Sequence, residues 1–352
     1  MIVVVSSPPE SRSVKLTVTD VIEESHDARS LVFAVADHER HRLNYRPGQF
    51  LTLRVPGEGS GSVARCYSLA SSPHTDPAPK VTIKRVDGGY GSNWLCDNVS
   101  PGDVIEALPP SGVFTPRDLG IDLLLWAGGS GITPVMSILK SALAEGTGRV
   151  TLVYANRDER SVIFATELRD LTTRHPDRLT VVHWLESVQG LPQQPQLAAL
   201  ARRLGGAESY LCGPGPFMAA VQAALADAGV ARTAVHTEVF QSLTGDPFAA
   251  VEPPAVDGDD DADAATVSVD IDGQQHKLRW PAQSTLVDVM LAAGLDVPFS
   301  CREGQCGSCA ATLVRGKVDM PASDILEPDD IEAGTILGCQ ARPASDDIHV
   351  EF

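Results

Sequence analysis

The chain has 352 residues, of which 43% are hydrophobic, so it is long enough for two or three domains that each bury a core. No stretch approaches 18 consecutive apolar residues, which argues against a membrane span, and the net charge of −18 argues against nucleic-acid or anionic-membrane partners. The apolar start Met1–Val5 is too short for a secretory signal and has no basic segment before it. We therefore expect a cytoplasmic protein.

The first part of the chain is predicted to form short strands. Residues 1–13 are rich in Ser and Pro, and we expect a flexible N-terminus there. From residue 14 to residue 118, apolar runs alternate with turn signals such as Arg46-Pro47-Gly48, which is typical of an antiparallel β-barrel or sandwich. The predicted strands are Lys15–Val21, Leu31–Ala36, Phe50–Val55, Arg65–Ala70, Val81–Val86 and Val104–Leu108.

The pattern changes in residues 119–243, where short apolar runs alternate with helical stretches. This alternation is typical of a parallel, doubly wound α/β sheet. The predicted strands are Leu123–Ala127, Val150–Ala155, Leu179–Leu185, Tyr210–Cys212 and Ala234–Phe240. The predicted helices are one that ends at Ala144, Val162–Arg174, Gln196–Leu204 and Phe217–Ala228.

The negative charge is concentrated in the last third of the chain, where residues 244–352 hold 21 acidic and 6 basic residues, a net charge of −15. Five of the seven residues in Asp257–Asp263 are Asp, and Pro253-Pro254 comes shortly before them. We predict an acidic linker over residues 244–265, with a surface loop inside one domain as the alternative. Residues 266–352 then form a small module with strands Val267–Ile271 and His276–Trp280 and a helix Leu286–Ala293 that begins at Thr285.

The chain has seven cysteines, and this odd number does not fit a complete disulfide framework. In a reducing compartment, clustered cysteines predict metal or redox ligands instead. Cys301, Cys306 and Cys309 follow a C-x4-C-x2-C spacing, and Cys339 follows after 29 further residues. This arrangement is typical of plant-type 2Fe–2S clusters, so these four cysteines are the predicted metal ligands.

The loop between these cysteines contains Gly304 and Gly307, which permit positive-φ turns that aim backbone N–H groups at sulfur. The alternatives are a structural zinc site or unrelated thiols, although zinc sites usually combine two close ligand pairs. The segment Pro298–Cys309 closely resembles that of plant-type ferredoxins. This resemblance implies a β-grasp fold for residues 266–352.

Two strings in the first domain indicate an anion site. In Arg65-Cys66-Tyr67-Ser68, strand alternation puts Arg65 and Tyr67 on one face and Ser68 on the other. Arg65 is suited to pair with a phosphate, but a surface Arg beside a core Tyr is the ordinary alternative, and Cys66 is predicted to be a small buried side chain. The segment Lys84–Leu95 then places glycines and a Ser92 N-cap at a helix start, where exposed N–H groups bind anions.

A glycine-rich loop, Gly128–Pro134, joins a predicted strand to a predicted helix in the second domain. Such a loop suits the phosphates of a dinucleotide, because its glycines allow the backbone to approach a ligand closely. It lacks the G-x-G-x-x-G spacing of the commonest dinucleotide-binding fold, so the pattern alone leaves its ligand open.

Taken in chain order, these strings resemble the ferredoxin–NADP⁺ reductase superfamily, and the resemblance covers about residues 14–352. It implies a flavin-binding barrel over residues 14–118, a domain that binds a nicotinamide nucleotide over residues 119–243, and a C-terminal ferredoxin domain. It also implies that Cys212-Gly213-Pro214 lies beside the nicotinamide and that Glu238-Val239-Phe240 lies near the flavin ring.

The resemblance assigns site residues in three groups. It implies catalytic roles for Ser68, Cys212, Glu238 and Phe240, although an edge-strand pair without a role is the alternative for Glu238 and Phe240. The implied flavin contacts are Arg65, Tyr67, Ser68, Gly89 and Ser92, and the further cofactor-binding residues near them are Cys66, Ile83, Lys84, Val86, Gly91 and Asn93. The implied nucleotide-side contacts are Gly128, Gly129, Gly131, Thr133, Pro134, Arg157, Cys212, Gly213 and Pro214.

A narrower resemblance is carried by Asn93–Val99, Asn156–Phe164 and His183–Ser187, which are similar to parts of the reductase components of 3-ketosteroid 9α-hydroxylases. It implies a reductase that serves a Rieske-type terminal oxygenase. Because the oxygenase binds the substrate, reduction of an aromatic-ring or phenylacetyl-CoA oxygenase is the alternative. The third hypothesis is a non-catalytic electron carrier or a zinc-binding interaction protein. Such a protein would lack Arg65, Ser92 or the Gly128–Pro134 loop, and all three are present in this chain.

The cofactors follow from electron counting and from the resemblance. A nicotinamide donates two electrons together and an iron–sulfur cluster accepts one, so a flavin must stand between them. The resemblance to FAD-binding reductases implies FAD rather than FMN. Acidic Asp158 and Glu159 follow Arg157, whereas a 2′-phosphate normally needs basic side chains, so we expect NADH rather than NADPH.

Overall fold

The structure is a computed structural model that describes residues 13–57, 61–204, 208–249, 264–323, 325–326 and 328–352. The expected flexible N-terminus, apart from Ser13, lies outside the described residues, as do Pro253-Pro254 and Asp257–Asp263. The chain divides into two compact units: Lys15–Ser242 forms the first, and Leu243–Phe352 belongs to the second. Among the described residues, no helix has the length and apolar character needed to cross a bilayer.

Six antiparallel strands of the first unit form a sheet that closes on itself. They are β1 (Val14–Ser25), β2 (Ala28–Ala34), β3 (Phe50–Pro56), β4 (Ser62–Ser68), β5 (Lys80–Lys84) and β6 (Val104–Ser111). Their order is β4-β3-β6-β1-β2-β5, and the outer strands are joined by the Leu69–Val81 bridge and by a 2.8 Å hydrogen bond from the Ala70 N–H to the Lys80 carbonyl. The predicted antiparallel β-barrel is therefore confirmed.

A helix, α1 (Tyr90–Asn98), follows β5. Its N-cap is Gly89, and no side chain caps its first turn. Ser92 lies inside this turn, where its Oγ accepts a 3.2 Å hydrogen bond from the Val86 N–H. The prediction of Ser92 as the N-cap is wrong, because the chain enters the helix earlier, at a glycine whose missing side chain leaves the first N–H groups uncapped.

The rest of the first unit is built on a five-stranded parallel sheet in the order β11-β10-β7-β8-β9. Leu125 and Ala127 of β7 pack into the same core as α2 and α3, whereas Leu124 and Trp126 pack with α5 and α6 on the other face. The predicted doubly wound sheet is therefore confirmed. The elements are β7 (Leu123–Gly128), α2 (Ile132–Glu145), β8 (Val150–Asn156), α3 (Ala165–Arg174), β9 (Leu179–Leu185), α4 (Glu186–Gln189), α5 (Gln194–Leu204), β10 (Glu208–Cys212), α6 (Gly215–Asp227) and β11 (Val235–Glu238).

Two elements of this sheet differ from the predicted bounds. Helix α3 begins at Ala165 rather than Val162, because the buried Phe164 has a left-handed backbone with φ 62° that cannot continue a helix. Strand β11 ends at Glu238, so Phe240 lies beyond the sheet and is 47% exposed. The edge strand therefore carries Glu238 at its carboxyl end but does not extend to Phe240.

The second unit contains a five-stranded mixed sheet in the order β13-β12-β18-β14-β16, in which β12 and β18 are parallel. Thr285 caps α7 by accepting a 3.3 Å hydrogen bond from the Asp288 N–H, as predicted. This sheet with its packed helix agrees with the β-grasp fold that the ferredoxin resemblance implied. The elements are β12 (Ala265–Ile271), β13 (Gln274–Trp280), α7 (Leu286–Ala292), β14 (Ala310–Arg315), β15 (Val318–Asp319), α8 (Pro328–Glu332), β16 (Thr335–Leu337), β17 (Arg342–Pro343) and β18 (Asp347–Glu351).

Candidate cofactor sites

The four predicted cluster ligands converge in the second unit. Cys301, Cys309 and Cys339 are buried, and Cys306 is half-buried. The Cys301 thiol is in hydrogen-bonding contact with the thiols of Cys306 and Cys339, and the Cys339 thiol also contacts Cys309. The sulfurs therefore form a row with Cys306 and Cys309 at its ends.

The spacing of this row fits two irons better than one zinc. A tetrahedral zinc with bonds of about 2.3 Å holds every pair of its sulfurs about 3.8 Å apart. Within the residues that the structure describes, no three cysteine sulfurs all lie within 4.8 Å of one another. Four thiolates in two neighbouring pairs match a cluster that contains two irons. The donor set and its geometry therefore fit the 2Fe–2S cluster.

Backbone N–H groups of the cysteine loop point at Cys301. The N–H groups of Glu303 and Gln305 donate to its Sγ at 3.4 and 3.3 Å. Gly304 and Gly307 have φ values of 73° and 69°, as predicted, which bend the loop around the sulfur. Hydrogen bonds from the neighbouring thiols and from these two N–H groups lower the pKa of the Cys301 thiol. The loop is thus arranged to hold negative charge on sulfur.

The described start of the predicted linker is attached to this loop. The N–H and the hydroxyl of Thr244 each donate a 2.8 Å hydrogen bond to Oε1 of Glu303. On the other side of the row, the Gln340 side chain donates to Cys339 Sγ at 3.4 Å and to the Arg302 carbonyl at 3.1 Å. Neither contact is predictable from the sequence, because both join segments that are far apart along the chain.

In the barrel, Arg65 lies at the start of helix α1. A Cβ added at Gly91 would come within 2.9 Å of Arg65 Cγ, so the glycine makes room for this side chain. Arg65 Nη1 donates to the Ala64 carbonyl at 2.7 Å, and the residues that the structure describes provide no carboxylate partner for Arg65. A guanidinium without a counter-ion beside uncapped helix N–H groups fits a phosphate of a flavin nucleotide.

The other flavin-side candidates surround this point on β4, β5 and α1. Tyr67 is half-buried, and burial raises the pKa of its hydroxyl. Cys66 is half-buried, with its Sγ 3.4 Å from Thr52 Oγ1, so the prediction of a buried Cys66 is wrong. Ile83 is fully buried in the barrel core.

The segment before α1 is fixed by the helix itself. Val86 is 58% exposed, and its carbonyl accepts a 3.0 Å hydrogen bond from Asn93 Nδ2. Asn93 Nδ2 also donates to the Gly89 carbonyl at 2.7 Å. Lys84, at the end of β5, points toward the nucleotide-binding loop instead, since its Nζ would be 3.6 Å from a Cβ added at Gly129.

At the carboxyl edge of the parallel sheet, the loops after β7 and β10 are in contact. A Cβ added at Gly131 would lie 2.2 Å from the Cys212 carbonyl oxygen, and one at Gly128 would lie 2.8 Å from Pro214 Cδ. A Cβ at Gly213 would lie 3.0 Å from Gly128 Cα. The strand order reverses between β7 and β10, and ligands of open α/β sheets bind at such a reversal.

A buried side-chain amide, that of Asn156, lies near this loop. In the turn into α2, Thr133 Oγ1 donates a 3.1 Å hydrogen bond to the Ser130 carbonyl, and Pro134 is buried. The Tyr154 hydroxyl donates a 3.1 Å hydrogen bond to the Gly129 carbonyl. Asn156, at the end of β8, is 7% exposed, and neither atom of its side-chain amide has a hydrogen-bond partner of normal geometry among the described residues. An open donor and acceptor at the sheet edge fit a nucleotide. Asn156 was not among the predicted site residues, since an asparagine at a strand end carries no distinct sequence signal.

Three predicted catalytic residues meet where the barrel and the parallel sheet join. Ser68 Oγ donates a 3.3 Å hydrogen bond to Glu238 Oε2, and Glu238 pairs in register with the fully buried Cys212. Burial raises the pKa of Glu238 to about 8 and raises the pKa of the Cys212 thiol well above its usual range. The Glu238 carboxyl is therefore mostly protonated at neutral pH.

Arg157, a predicted nucleotide contact, is engaged elsewhere. It follows β8 directly, and its Nη2 donates a 2.8 Å hydrogen bond to Asp27 in the turn between β1 and β2. Asp27 was not among the predicted site residues, because nothing in the local sequence pattern connects this turn to residue 157.

Comparison with known protein families gives three matches along the chain. Residues 15–115 match the oxidoreductase FAD-binding domain, residues 125–223 the oxidoreductase NAD-binding domain, and residues 269–344 the 2Fe-2S iron-sulfur cluster binding domain. The fold and these matches define an oxidoreductase of the ferredoxin reductase type that has FAD-binding, NAD-binding and 2Fe–2S domains.

The chain is 63% identical over 348 residues to the 3-ketosteroid-9-alpha-monooxygenase ferredoxin reductase component of Rhodococcus rhodochrous, and 99% of each chain is covered. It belongs to the family of these reductase components. It is also 31% identical over 353 residues to one of the polypeptides of the 1,2-phenylacetyl-CoA epoxidase of Escherichia coli, with 96% of this chain and 97% of that one covered.

Two solved structures share the fold. Phthalate dioxygenase reductase, described as a modular structure for electron transfer from pyridine nucleotides to 2Fe-2S, is 24% identical with a TM-score of 0.56 over 99% of this chain and 100% of that one. An intact type IV self-sufficient monooxygenase is 22% identical with a TM-score of 0.63 over 96% of this chain, which spans 41% of that longer protein.

Proposed function

We propose that the chain is the NADH-dependent reductase component of a 3-ketosteroid 9α-hydroxylase, and that it passes electrons through FAD and a 2Fe–2S cluster to a Rieske-type terminal oxygenase. The hydrogen bond between Ser68 and Glu238, with Cys212 beside it, carries the proposal. It supports a flavin contact adjacent to a nicotinamide pocket within one compact unit. The name of the similar protein from Rhodococcus rhodochrous supports the steroid system.

On the flavin side, Arg65 and the first N–H groups of α1 would hold the phosphate of FAD, because a free guanidinium and a helix N-terminus both attract an anion. Gly89 and Gly91 leave space at this helix start, and Ser92 and Asn93 hold it in shape. Tyr67 and Ser68 would contact the flavin ring from the same strand. When bound, the flavin supplies the exchange between a two-electron donor and one-electron acceptors.

On the nucleotide side, the N-terminus of α2 and the glycines of the Gly128–Pro134 loop would receive the phosphates of NADH. Thr133 and Cys212-Gly213-Pro214 would line the nicotinamide end, and the open amide of Asn156 would bind the other end of the coenzyme. Burial favours the protonated form of the Glu238 carboxyl, which reduces the negative charge in this pocket. Phe240, just beyond β11, would cover the flavin face until the nicotinamide arrives.

The domain assignment follows from the same elements. The flavin barrel would span residues 14–118, the NADH-binding domain residues 119–243 and the ferredoxin domain residues 266–352, with residues 244–265 as the acidic linker. Cys301, Cys306, Cys309 and Cys339 would hold the cluster. We also propose that the protein works in the cytoplasm, where its thiol ligands are kept reduced.

A second candidate function keeps the electron path and changes the partner. The similarity to a phenylacetyl-CoA epoxidase polypeptide favours an oxygenase that acts on aromatic or phenylacetyl-CoA substrates. Reconstitution with each candidate oxygenase separates the two. We expect NADH-dependent hydroxylation of 3-ketosteroids with the steroid oxygenase, and hydroxylation only with the aromatic or phenylacetyl-CoA system would overturn the steroid assignment.

The visible spectrum of the purified protein tests the reductase function itself. Absorption from both a flavin and a 2Fe–2S cluster, bleached by NADH, is the expected result. A colourless protein that contains zinc would instead support a non-catalytic role.

A further inference from the structure

Asp27 lies at the tip of the β1–β2 turn, but its carboxylate contacts groups from elsewhere in the unit. Arg157 Nη2 donates to its Oδ2 at 2.8 Å, and Lys84 Nζ lies 3.7 Å from the same oxygen. The Asp27 side chain is 15% exposed, whereas that of Arg157 is 62% exposed. A largely buried carboxylate thus contacts two cations next to the nucleotide-binding loop and balances the charge of one of them.

The turn that carries Asp27 is itself fixed. Ser25 Oγ donates to Asp27 Oδ1 at 2.9 Å, and the Arg85 N–H donates to the Asp27 carbonyl at 2.8 Å. His26 Nδ1 lies 2.9 Å from the Arg160 carbonyl oxygen, which joins the turn to the segment after β8. Asp27 is therefore held by Ser25 at the end of β1 and by Arg85 after β5, and its neighbour His26 is joined to the segment after β8.

The position of Arg157 relates its ion pair with Asp27 to coenzyme binding. In doubly wound sheets, the residues that follow the second strand meet the adenosine ribose, and an arginine there accommodates the 2′-phosphate of NADPH. Arg157 follows β8, the second strand of this sheet. Of the two acidic residues that follow Arg157, Asp158 is occupied by Ser161, whose N–H and Oγ donate to it at 2.9 and 2.7 Å.

A 2′-phosphate carries a charge of about −1.5 to −2 at neutral pH. To bind it, Arg157 would have to leave Asp27, and the buried carboxylate would then face the incoming phosphate with Lys84 as its remaining close cation. The 2′-hydroxyl of NADH carries no charge and makes no such demand. The pairing therefore penalises NADPH without affecting the charge balance around NADH.

We propose that Asp27 is a specificity-determining residue that selects NADH over NADPH by holding the Arg157 guanidinium. The inference rests on the proposed NADH-dependent function. Asp27 acts through Arg157 and does not itself contact the coenzyme.

The test compares wild type with Asp27→Asn, which keeps the shape of the side chain and removes its charge. Adenosine 2′,5′-bisphosphate, which carries the 2′-phosphate, is titrated into each flavin-loaded protein by calorimetry. We expect the variant to bind this probe about tenfold more tightly or better, and its kcat/KM ratio of NADPH to NADH to rise by a similar factor. Adding Arg157→Ala to the variant should remove the gain.

Asp122→Asn is the matched control, because it breaks an Asp–Arg pair of similar length with Arg149 at the opposite end of the sheet. It should change neither the affinity nor the coenzyme ratio. If Asp27→Asn does not retain its flavin, Asp27→Ser replaces it.

The outcomes separate the two proposals. Wild type that is not reduced by NADH overturns the proposed function. Wild type that is reduced by NADH, with a flavin-loaded Asp27 variant that gains no affinity for adenosine 2′,5′-bisphosphate, overturns the role of Asp27. A gain that persists when Arg157 is also removed overturns the mechanism through Arg157.

Discussion

The Ser68 hydroxyl donates a 3.3 Å hydrogen bond to the Glu238 carboxyl, although 170 positions separate the two residues in the sequence. Ser68 is the last residue of β4 in the barrel, and Glu238 is the last residue of β11 in the parallel sheet. The bond therefore connects the two halves of the first unit through side chains that each lie at a strand end.

The first prediction concerns the proton on Glu238. Burial raises its pKa to about 8 from an ordinary value of 4.5. A carboxyl that holds its proton more tightly in the folded state stabilises the fold at low pH and loses that contribution as the pH rises through the folded pKa. We expect wild type to lose stability relative to Glu238→Gln between pH 4.5 and about 8, with no further change above.

Urea unfolding midpoints of the two proteins across this pH range provide the measurement. Glu186→Gln, which changes an exposed glutamate in α4, is the control and should follow the wild-type curve. If the urea midpoints of wild type and Glu238→Gln differ by the same amount at every pH, folding does not raise the pKa of Glu238.

The second prediction concerns the isolated cluster ligand. Cys339→Ser should prevent normal 2Fe–2S incorporation, because the Cys339 sulfur sits between those of Cys301 and Cys309 in the row. Flavin reduction by NADH should survive, since the flavin and nucleotide elements belong to the other compact unit. Visible absorption and iron content report the result. Cys96→Ala, at a buried cysteine outside the row, should keep a normal cluster spectrum, and an unchanged spectrum in Cys339→Ser would refute the ligand assignment.

The third prediction concerns Arg65→Ala. Losing a charge-assisted phosphate contact costs roughly 1.5–3 kcal/mol, on the order of tenfold to a hundredfold in flavin affinity. The purified variant should therefore lose flavin while the iron–sulfur colour remains, which absorption and flavin extraction measure. Arg54→Ala on the neighbouring strand breaks a 3.0 Å ion pair with Glu106 and serves as the control. Full flavin occupancy at unchanged affinity would show that Arg65 is a surface residue.

The fourth prediction concerns a buried ion network between the barrel and the parallel sheet. Lys140 in α2, with 5% of its side chain exposed, lies 2.8 Å from Asp76 and 2.9 Å from Glu167. Lys140→Met leaves Asp76 without this cation, whereas Glu167 keeps Lys80 at 3.2 Å. Removing one partner of a buried hydrogen bond in this way costs about 1–3 kcal/mol. Arg149→Met removes an exposed partner of Asp122 and should cost about 0–1 kcal/mol. Equal denaturant midpoints for the two variants would contradict the prediction.

The fifth prediction concerns the net charge of −15 in residues 244–352. We infer that part of it faces a basic surface on the oxygenase, and such attraction is screened beyond about 8–10 Å at physiological salt. Oxygenase-coupled turnover should therefore slow between about 20 and 300 mM salt, mainly through slower association, while turnover with a small neutral acceptor hardly changes. If both reactions depend equally on salt, the acidic residues do not dock the oxygenase, and their charge serves solubility alone.

The sequence was most informative where the physics is local. The spacing of Cys301, Cys306 and Cys309 predicts ligands on one loop, and Gly304 and Gly307 predict its turns, because these constraints act within a few residues. Strand alternation and the change to alternating helices likewise predicted the barrel and the parallel sheet.

Contacts between distant segments could not be predicted in this way. The Leu69–Val81 bridge that closes the barrel, the open amide of Asn156 and the pairing of Asp27 with Arg157 all depend on how complete elements pack. The left-handed Phe164 was missed for a related reason. Tertiary packing holds this buried side chain in a conformation that its own residue type disfavours.

The close approach of Gly131 to Cys212 decides how variants of this loop behave. A methyl group at residue 131 would meet the Cys212 carbonyl oxygen at 2.2 Å and the Gly213 nitrogen at 2.6 Å, and because both are backbone atoms no side-chain rotation relieves the collision. Gly131→Ala would thus push the ends of β7 and β10 apart even with no coenzyme present. Since Cys212 pairs with Glu238, this displacement would also shift the Glu238 carboxyl beside Ser68. One added carbon would then alter both coenzyme affinity and the proton affinity of Glu238, two properties that are chemically separate.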